Sequence, residues 1–223
     1  MKRLPDPHGA LMDAVYRRQR HVYDPLRKLF LFGRDRLLAR LDVPPGGRVL
    51  EIGCGTARNL IVLHRRRPDA RLFGLDASAE MLATAAAKLR RRRLAEVICL
   101  RQGLAEDVRP ATFGLDGSFD AVFFSYSLTM IGDGRAALDA ALACRKPGGV
   151  LAIVDFWDQA SWPRSLRWLL QGWLALFHVR FRPQVLEHLE RRVDARRGEL
   201  RVESILGRYA FLATCRPGPG AIA

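Results

Sequence analysis

Lysine is scarce in this chain, cysteine is scattered, and nowhere do 18 apolar residues run together. Each shortage excludes something. Without such a run there is no candidate membrane-spanning helix, and Met1-Lys2-Arg3 leads into Pro5-Asp6-Pro7 and not into an apolar signal segment, so the expected location is the cytoplasm. Cys54, Cys99, Cys144 and Cys215 lie far apart, with no C-x-x-C pair and no histidine at ligand spacing; disulfides and a metal site are therefore not expected. The five histidines are dispersed and mark no catalytic site. Only four of the 37 basic residues are lysine, so the net charge of +14 is an arginine charge. Codon bias can produce that skew, which makes charge alone a weak pointer to a polyanion. Arg65-Arg66-Arg67 and Arg90-Arg91-Arg92-Arg93 end two predicted helices, where cations favour the negative end of the helix dipole.

What is present is enough chain for one substantial core, 223 residues, and one stretch around which it is organised. Arg48 to Asn59 reads as strand, glycine turn, helix: Val49, Leu50 and Ile52 suit a buried strand, and Gly53 and Gly55 allow a tight turn and close backbone approach to a ligand. The helix restarts at Ala57. Two ligand readings compete, because a dinucleotide fingerprint also places G-x-G-x-x-G between strand and helix with an acid about 20 residues on. Here Arg58 stands where the third glycine belongs, Glu51 precedes the turn, and Asp76 closes the next strand-like run, Leu72 to Leu75. A glycine turn without any ligand is the plainer alternative.

The pattern E-x-G-C-G-T followed by G-L-D-A-S resembles the first two motifs of class I S-adenosylmethionine-dependent methyltransferases. The resemblance implies that Glu51, Gly53, Cys54, Gly55, Thr56 and Asn59 lie about the methionine part of the cofactor. Asp76, with Ala77 and Met81 beyond it, would bind the ribose, since a carboxylate accepts two charge-assisted hydrogen bonds. Family members carry an acid after the third strand to read adenine; this chain has Gln102-Gly103-Leu104-Ala105-Glu106-Asp107, so Gly103, Leu104 and Ala105 are left to contact the ring. The cofactor expected is S-adenosylmethionine.

The remaining chain fits that class. Val97 to Leu100, Phe119 to Phe124 and Val150 to Val154 read as strands three to five, with helices over 79–93 and 134–145 and a turn at Lys146-Pro147-Gly148-Gly149. Two short strands near Leu200 to Ser204 and Tyr209 to Cys215 complete a seven-stranded, mostly parallel Rossmann-like α/β sheet with helices on both faces. Before it, 1–47 forms a helical cap of two helices across 8–41; 48–216 is the methyltransferase domain, with an amphipathic insertion over about 161–197, and 217–223 is a frayed tail. By the switch-point rule, residues leaving the central strand, Ser125 and Tyr126 first, line the site. Methyl transfer needs alignment more than covalent chemistry, so catalytic roles are expected for aromatic faces beside the acceptor: Tyr126, Tyr16 and Tyr23.

Tyr16 to Asp24, Leu31 to Asp35 and Ser125 to Ile131 together resemble bacterial betaine-lipid N-methyltransferases, which convert diacylglyceryl homoserine to its trimethylated form. That resemblance implies that Tyr16, Tyr23 and Arg34 close over cofactor or head group. It also implies an enzyme peripheral to the inner face of the membrane. On a helical wheel, 161–179 has an apolar arc wider than the roughly 100° that one packed face needs, with Arg164 and Arg167 on the narrow polar side. The segment through 182 is thus expected to meet an anionic lipid surface, though a buried helix or a subunit interface has the same pattern. No DNA partner is expected, an RNA acceptor stays open, and so does a non-enzymatic cofactor-binding role. Oligomeric state is not legible.

Overall fold

A computed structural model describes residues 30–175, 183–194 and 198–216. Tyr16 and Tyr23, and with them the first predicted helix, lie outside the described residues. Seven strands form one sheet: β1 (Arg48–Ile52), β2 (Arg71–Asp76), β3 (Ile98–Gln102), β4 (Phe119–Ser125), β5 (Arg145–Phe156), β6 (Glu199–Ile205) and β7 (Ala210–Arg216). Their order is β3-β2-β1-β4-β5-β7-β6. The first five strands are parallel, and β7 runs antiparallel to both its neighbours. β6 consequently runs in the same direction as β5.

Alternation of side chains divides the core into two layers. Val49, Phe123, Ala152 and Val154 face the layer covered by α1 (Arg34–Ala39), α2 (Arg58–Arg66) and α3 (Ala79–Arg91). Leu50, Ile52, Val122 and Phe124 face the layer covered by α4 (Gly134–Cys144) and α6 (Pro183–Asp194), while α5 (Arg164–Ala175) packs with the first layer. Strands buried on both faces must be apolar throughout, which is why β4 and the centre of β5 carry no alternation of polar residues. Two of the long helices begin at a side-chain cap. Ser78 Oγ accepts from Met81 N at 3.3 Å and opens α3, and Asp133 accepts from Arg135 N and Ala136 N to open α4. The arginine clusters end α2 and α3 at the sheet edge opposite the carboxyl ends of the strands.

Two expectations change. The second helix of the cap is not continuous to Leu38: Gly33, in the left-handed region at φ +83°, interrupts it and α1 restarts at Arg34. A Cβ there would sit 2.3 Å from Ile205 Cδ1, so both the turn and the close packing on β6 require glycine. The Lys146–Gly149 turn is absorbed into β5. Between the pairs Phe119–Arg145 and Ala121–Val150, β4 advances two residues while β5 advances five, and this irregularity takes up the glycines.

Candidate active site

Chain order in the sheet reverses between β2-β1 and β4, and a ligand crevice belongs beyond the carboxyl ends of strands at that point. A cleft of about 710 Å³ opens there. One side is the glycine turn and the end of β2: Gly53, Gly55, Asp76, Ala77 and Met81, continued by Gly103, Leu104 and Ala105. The other side is the chain leaving β4: Tyr126, Ser127, Met130, Ile131 and Gly132.

The first side is set by the backbone. Gly53 and Cys54 both donate their N–H to Leu75 O, at 2.8 and 2.9 Å, drawing the turn onto β2. Gly53 holds φ +74°, and a Cβ there would meet Ser127 Cβ at 2.3 Å, so glycine lets the two sides of the cleft approach. Asp76 is fixed by Gly55 N on Oδ2 (2.7 Å) and Ser78 N on Oδ1 (2.9 Å). These two backbone donors orient the carboxylate at the cleft. Below the turn, Asn59 Nδ2 donates to Glu51 Oε1 at 2.7 Å. Both residues are buried, and they support the turn from underneath without lining the cleft.

The second side is set by bonds between residues far apart in sequence. Tyr126 has φ +55°, a conformation that costs a non-glycine residue about 1 kcal/mol or more. Its N–H donates to Val154 O (2.8 Å), its hydroxyl donates to Phe32 O (2.7 Å), and its ring meets Phe156 edge-on at 4.7 Å. Burial pushes the phenol well above the ordinary tyrosine range. Ser127 Oγ donates to Ile52 O at 2.8 Å. Asp155, fully buried at the end of β5, accepts from Thr129 Oγ1 (2.8 Å), Thr129 N (3.1 Å) and Phe156 N (2.8 Å). Burial raises its carboxyl to about 6 despite these donors. Asp155 thus holds the short turn Leu128–Met130 against the sheet and indirectly shapes the cleft wall.

Placement of the expected residues is uneven. Gly53, Gly55, Asp76, Ala77, Met81, Gly103, Leu104, Ala105 and Tyr126 line the cleft. Glu51, Cys54, Thr56, Asn59, Ser125 and Arg34 do not. The Cys54 side chain is buried within 2.8 Å of the position a Gly74 Cβ would take, and burial together with the Asp76 and Glu51 charges raises its thiol. Arg34 opens α1 and donates Nε to Leu31 O at 3.2 Å. Ser127, Met130 and Ile131 belong to the run leaving β4 that the switch-point rule places at the site, whereas reading the sequence did not single out Gly132 or Glu106 as lining residues, nor Asp155 as their support. A lone acid ending an otherwise apolar strand was the available signal for Asp155.

The contents of the cleft fit S-adenosylmethionine. Asp76 suits two ribose hydroxyls, Ala77, Met81, Leu104 and Ala105 offer an apolar slot for a ring, and the glycine turn admits the amino-acid end. Sheet order, glycine turn and the acid ending β2 define a class I, Rossmann-like methyltransferase fold. Residues 49–149 match the methyltransferase domain family. Trans-aconitate 2-methyltransferase of Acidovorax ebreus is 36% identical over 63% of this chain and 53% of its own length. Demethylmenaquinone methyltransferase of Corynebacterium glutamicum is 34% identical over 60% of this chain and 54% of its own. The chain spans about half the length of these relatives. Among solved structures, DhpI in complex with SAH is 26% identical, with a TM-score of 0.62 over 96% of this chain and 100% of that one. A SAM-dependent methyltransferase from Aquifex aeolicus shares the fold at 21% identity and TM-score 0.64, over 89% and 96%. Residues 49–149 are thus matched by a methyltransferase domain on a sheet of class I topology, and the cofactor that its cleft takes is S-adenosylmethionine.

Proposed function

We propose that the protein transfers the methyl group of S-adenosylmethionine to an amine on a lipid head group, diacylglyceryl homoserine being the acceptor that its sequence resemblance suggests. One observation carries the choice of an amine. The described residues lining the cleft include two acids, Asp76 and Glu106, and no lysine, arginine or histidine, in a chain whose net charge is +14. Such a lining attracts a cation and disfavours a polyanion. A tricarboxylate or an RNA phosphate would need cations in the cleft to offset its charge.

When bound, S-adenosylmethionine supplies an electrophilic methyl group carried on a sulfonium. Asp76 holds the ribose end, and the apolar residues from Met81 to Ala105 take the base. Ser127, Met130 and Gly132 limit where an acceptor nitrogen can stand, and positioning of this kind supplies most of the rate in a displacement that needs no covalent help. The ring of Tyr126 can stabilise the methylated ammonium by roughly 0.5–2 kcal/mol where its face meets the cleft.

Similarity to demethylmenaquinone methyltransferases, at 34% identity, favours a second reading in which the methyl group goes to an acceptor of that kind. Incubating the protein with labelled S-adenosylmethionine and, separately, total lipid extract and total RNA distinguishes them. Label should appear in an amine-bearing polar lipid; label in RNA, in a quinone or in a soluble acid would overturn the proposal.

A further inference from the structure

Six large apolar side chains stand exposed among the described residues, and five of them lie at one edge of the sheet. Trp168 (78% exposed), Leu169 (63%) and Leu166 (47%) belong to α5, which follows the carboxyl end of β5. Leu206 (54%) tips the turn between β6 and β7, and because β6 runs with β5, that turn lies at the same edge. Phe32 (41%) reaches it through Tyr126, whose hydroxyl bonds the Phe32 carbonyl at the end of β4. The sixth, Val97, precedes β3 at the opposite edge. These five share the end of the sheet on which the cleft opens.

This rim is rigidly seated. Trp162 stacks on Tyr209 at 5.8 Å and donates Nε1 to Leu206 O at 2.9 Å, while Phe32 meets the Tyr209 ring edge-on at 5.5 Å. Tyr209 donates its hydroxyl to Phe30 O at 2.8 Å. On its inward side α5 buries Leu174 and packs Leu170 and Trp173 against the core, so its outward apolar residues are surplus to folding. Gathering large exposed apolar side chains at one edge without a partner is unfavourable, and a surface facing only water rarely keeps them. Charge says which partner fits. No aspartate or glutamate occurs from residue 159 to residue 186, and Arg164, one turn earlier, and Arg167, next in sequence, both precede the exposed tryptophan.

We propose that this rim, α5 with Leu206 and Phe32, is an interfacial docking surface for an anionic lipid bilayer, holding the cleft mouth against the membrane. The inference deepens the lipid-amine reading and rests on it only for its purpose, because docking and chemistry separate experimentally. Apolar side chains insert at the head-group level while arginines remain at the charged surface, and tryptophan favours that boundary. Salt weakens the arginine attraction and leaves the apolar part.

The test is co-sedimentation of the full chain with phosphatidylglycerol and with phosphatidylcholine vesicles across a salt series, comparing wild type with Trp168→Gln/Leu169→Gln. Circular dichroism and S-adenosylmethionine calorimetry check that the variant is folded with unchanged cofactor affinity. Wild type should prefer phosphatidylglycerol, the variant should bind it at least tenfold more weakly, and high salt should reduce wild-type binding without abolishing it. Equal vesicle binding by the two proteins, or none by wild type, overturns the proposal. So does a dimer that the variant dissociates, which would give the rim to a second copy, or tight, salt-sensitive binding of RNA by wild type that the variant loses. Methylation of detergent-dispersed amine lipid tests the chemistry apart from docking: a variant active in detergent and inactive on vesicles supports docking, whereas wild type inactive in both sinks only the acceptor assignment.

Discussion

The two sides of the cleft are built by different means. On the cofactor side the chain positions itself: two glycines turn the backbone onto β2, and Asp76 is held by amides at Gly55 and Ser78 within its own motif and the next. On the acceptor side nothing local suffices. Tyr126 to Met130 are held by Phe32, Ile52 and Asp155, which come from the cap segment, β1 and β5. A cofactor shared by a whole class can be gripped by a short motif. The facing wall, where we propose that the acceptor stands, is framed by side chains from distant elements.

The comparison is sharpened first by removing its most local part. Asp76→Ala should lower S-adenosylmethionine affinity by about 100-fold or more, since charge-assisted bonds to two hydroxyls are worth roughly 3 kcal/mol together. Calorimetry on the folded variant measures it, and undiminished affinity would mean that the acid ending β2 does not hold the cofactor.

Asp155→Asn should act on the opposite side alone. Its amide would face the Thr129 N–H that now donates to Oδ2, so the 128–130 turn should shift and the transfer rate fall about tenfold, with cofactor affinity unchanged. A matching loss of cofactor affinity would break the separation of the two sides. The same variant has a pH signature. Asp155 has its carboxyl raised from 3.8 to about 6 in the folded protein, so the native state binds the proton more tightly than the unfolded chain. Its contribution is most favourable below about pH 4 and declines as pH rises to about 6, by on the order of 3 kcal/mol. Urea melts from pH 4 to 7 should show this decline in wild type relative to Asp155→Asn; parallel curves would contradict it.

The smallest effect belongs to Tyr126→Phe, which removes the bond to Phe32 O and keeps the ring. Stability should drop by about 1 kcal/mol, and exchange of backbone amides in the segment from Phe30 to Gly33 should quicken. No change in that segment would mean that Tyr209, through Phe30 O, seats it unaided.

By itself the sequence determined the class of fold and the cofactor side. Apolar strands, glycines at a strand-to-helix turn and an acid closing the next strand are local requirements, so they leave a local trace, and Gly53, Gly55, Asp76, Ala77, Met81 and Leu104 were legible in it. Which nearby residues only support the turn was not legible: Glu51 and Asn59 sit in the same motif, and only packing turns them beneath it. The run leaving β4, Tyr126 included, was expected at the site from strand order, but tertiary structure alone decided what holds it there. Gly33 breaks the cap helix because Ile205 packs against it from 172 positions later in the chain, and Asp155 shapes the cleft through Thr129, 26 positions earlier. No residue pattern within either segment encodes such a contact, because its energy comes from burial and hydrogen bonds that exist only once the sheet has assembled.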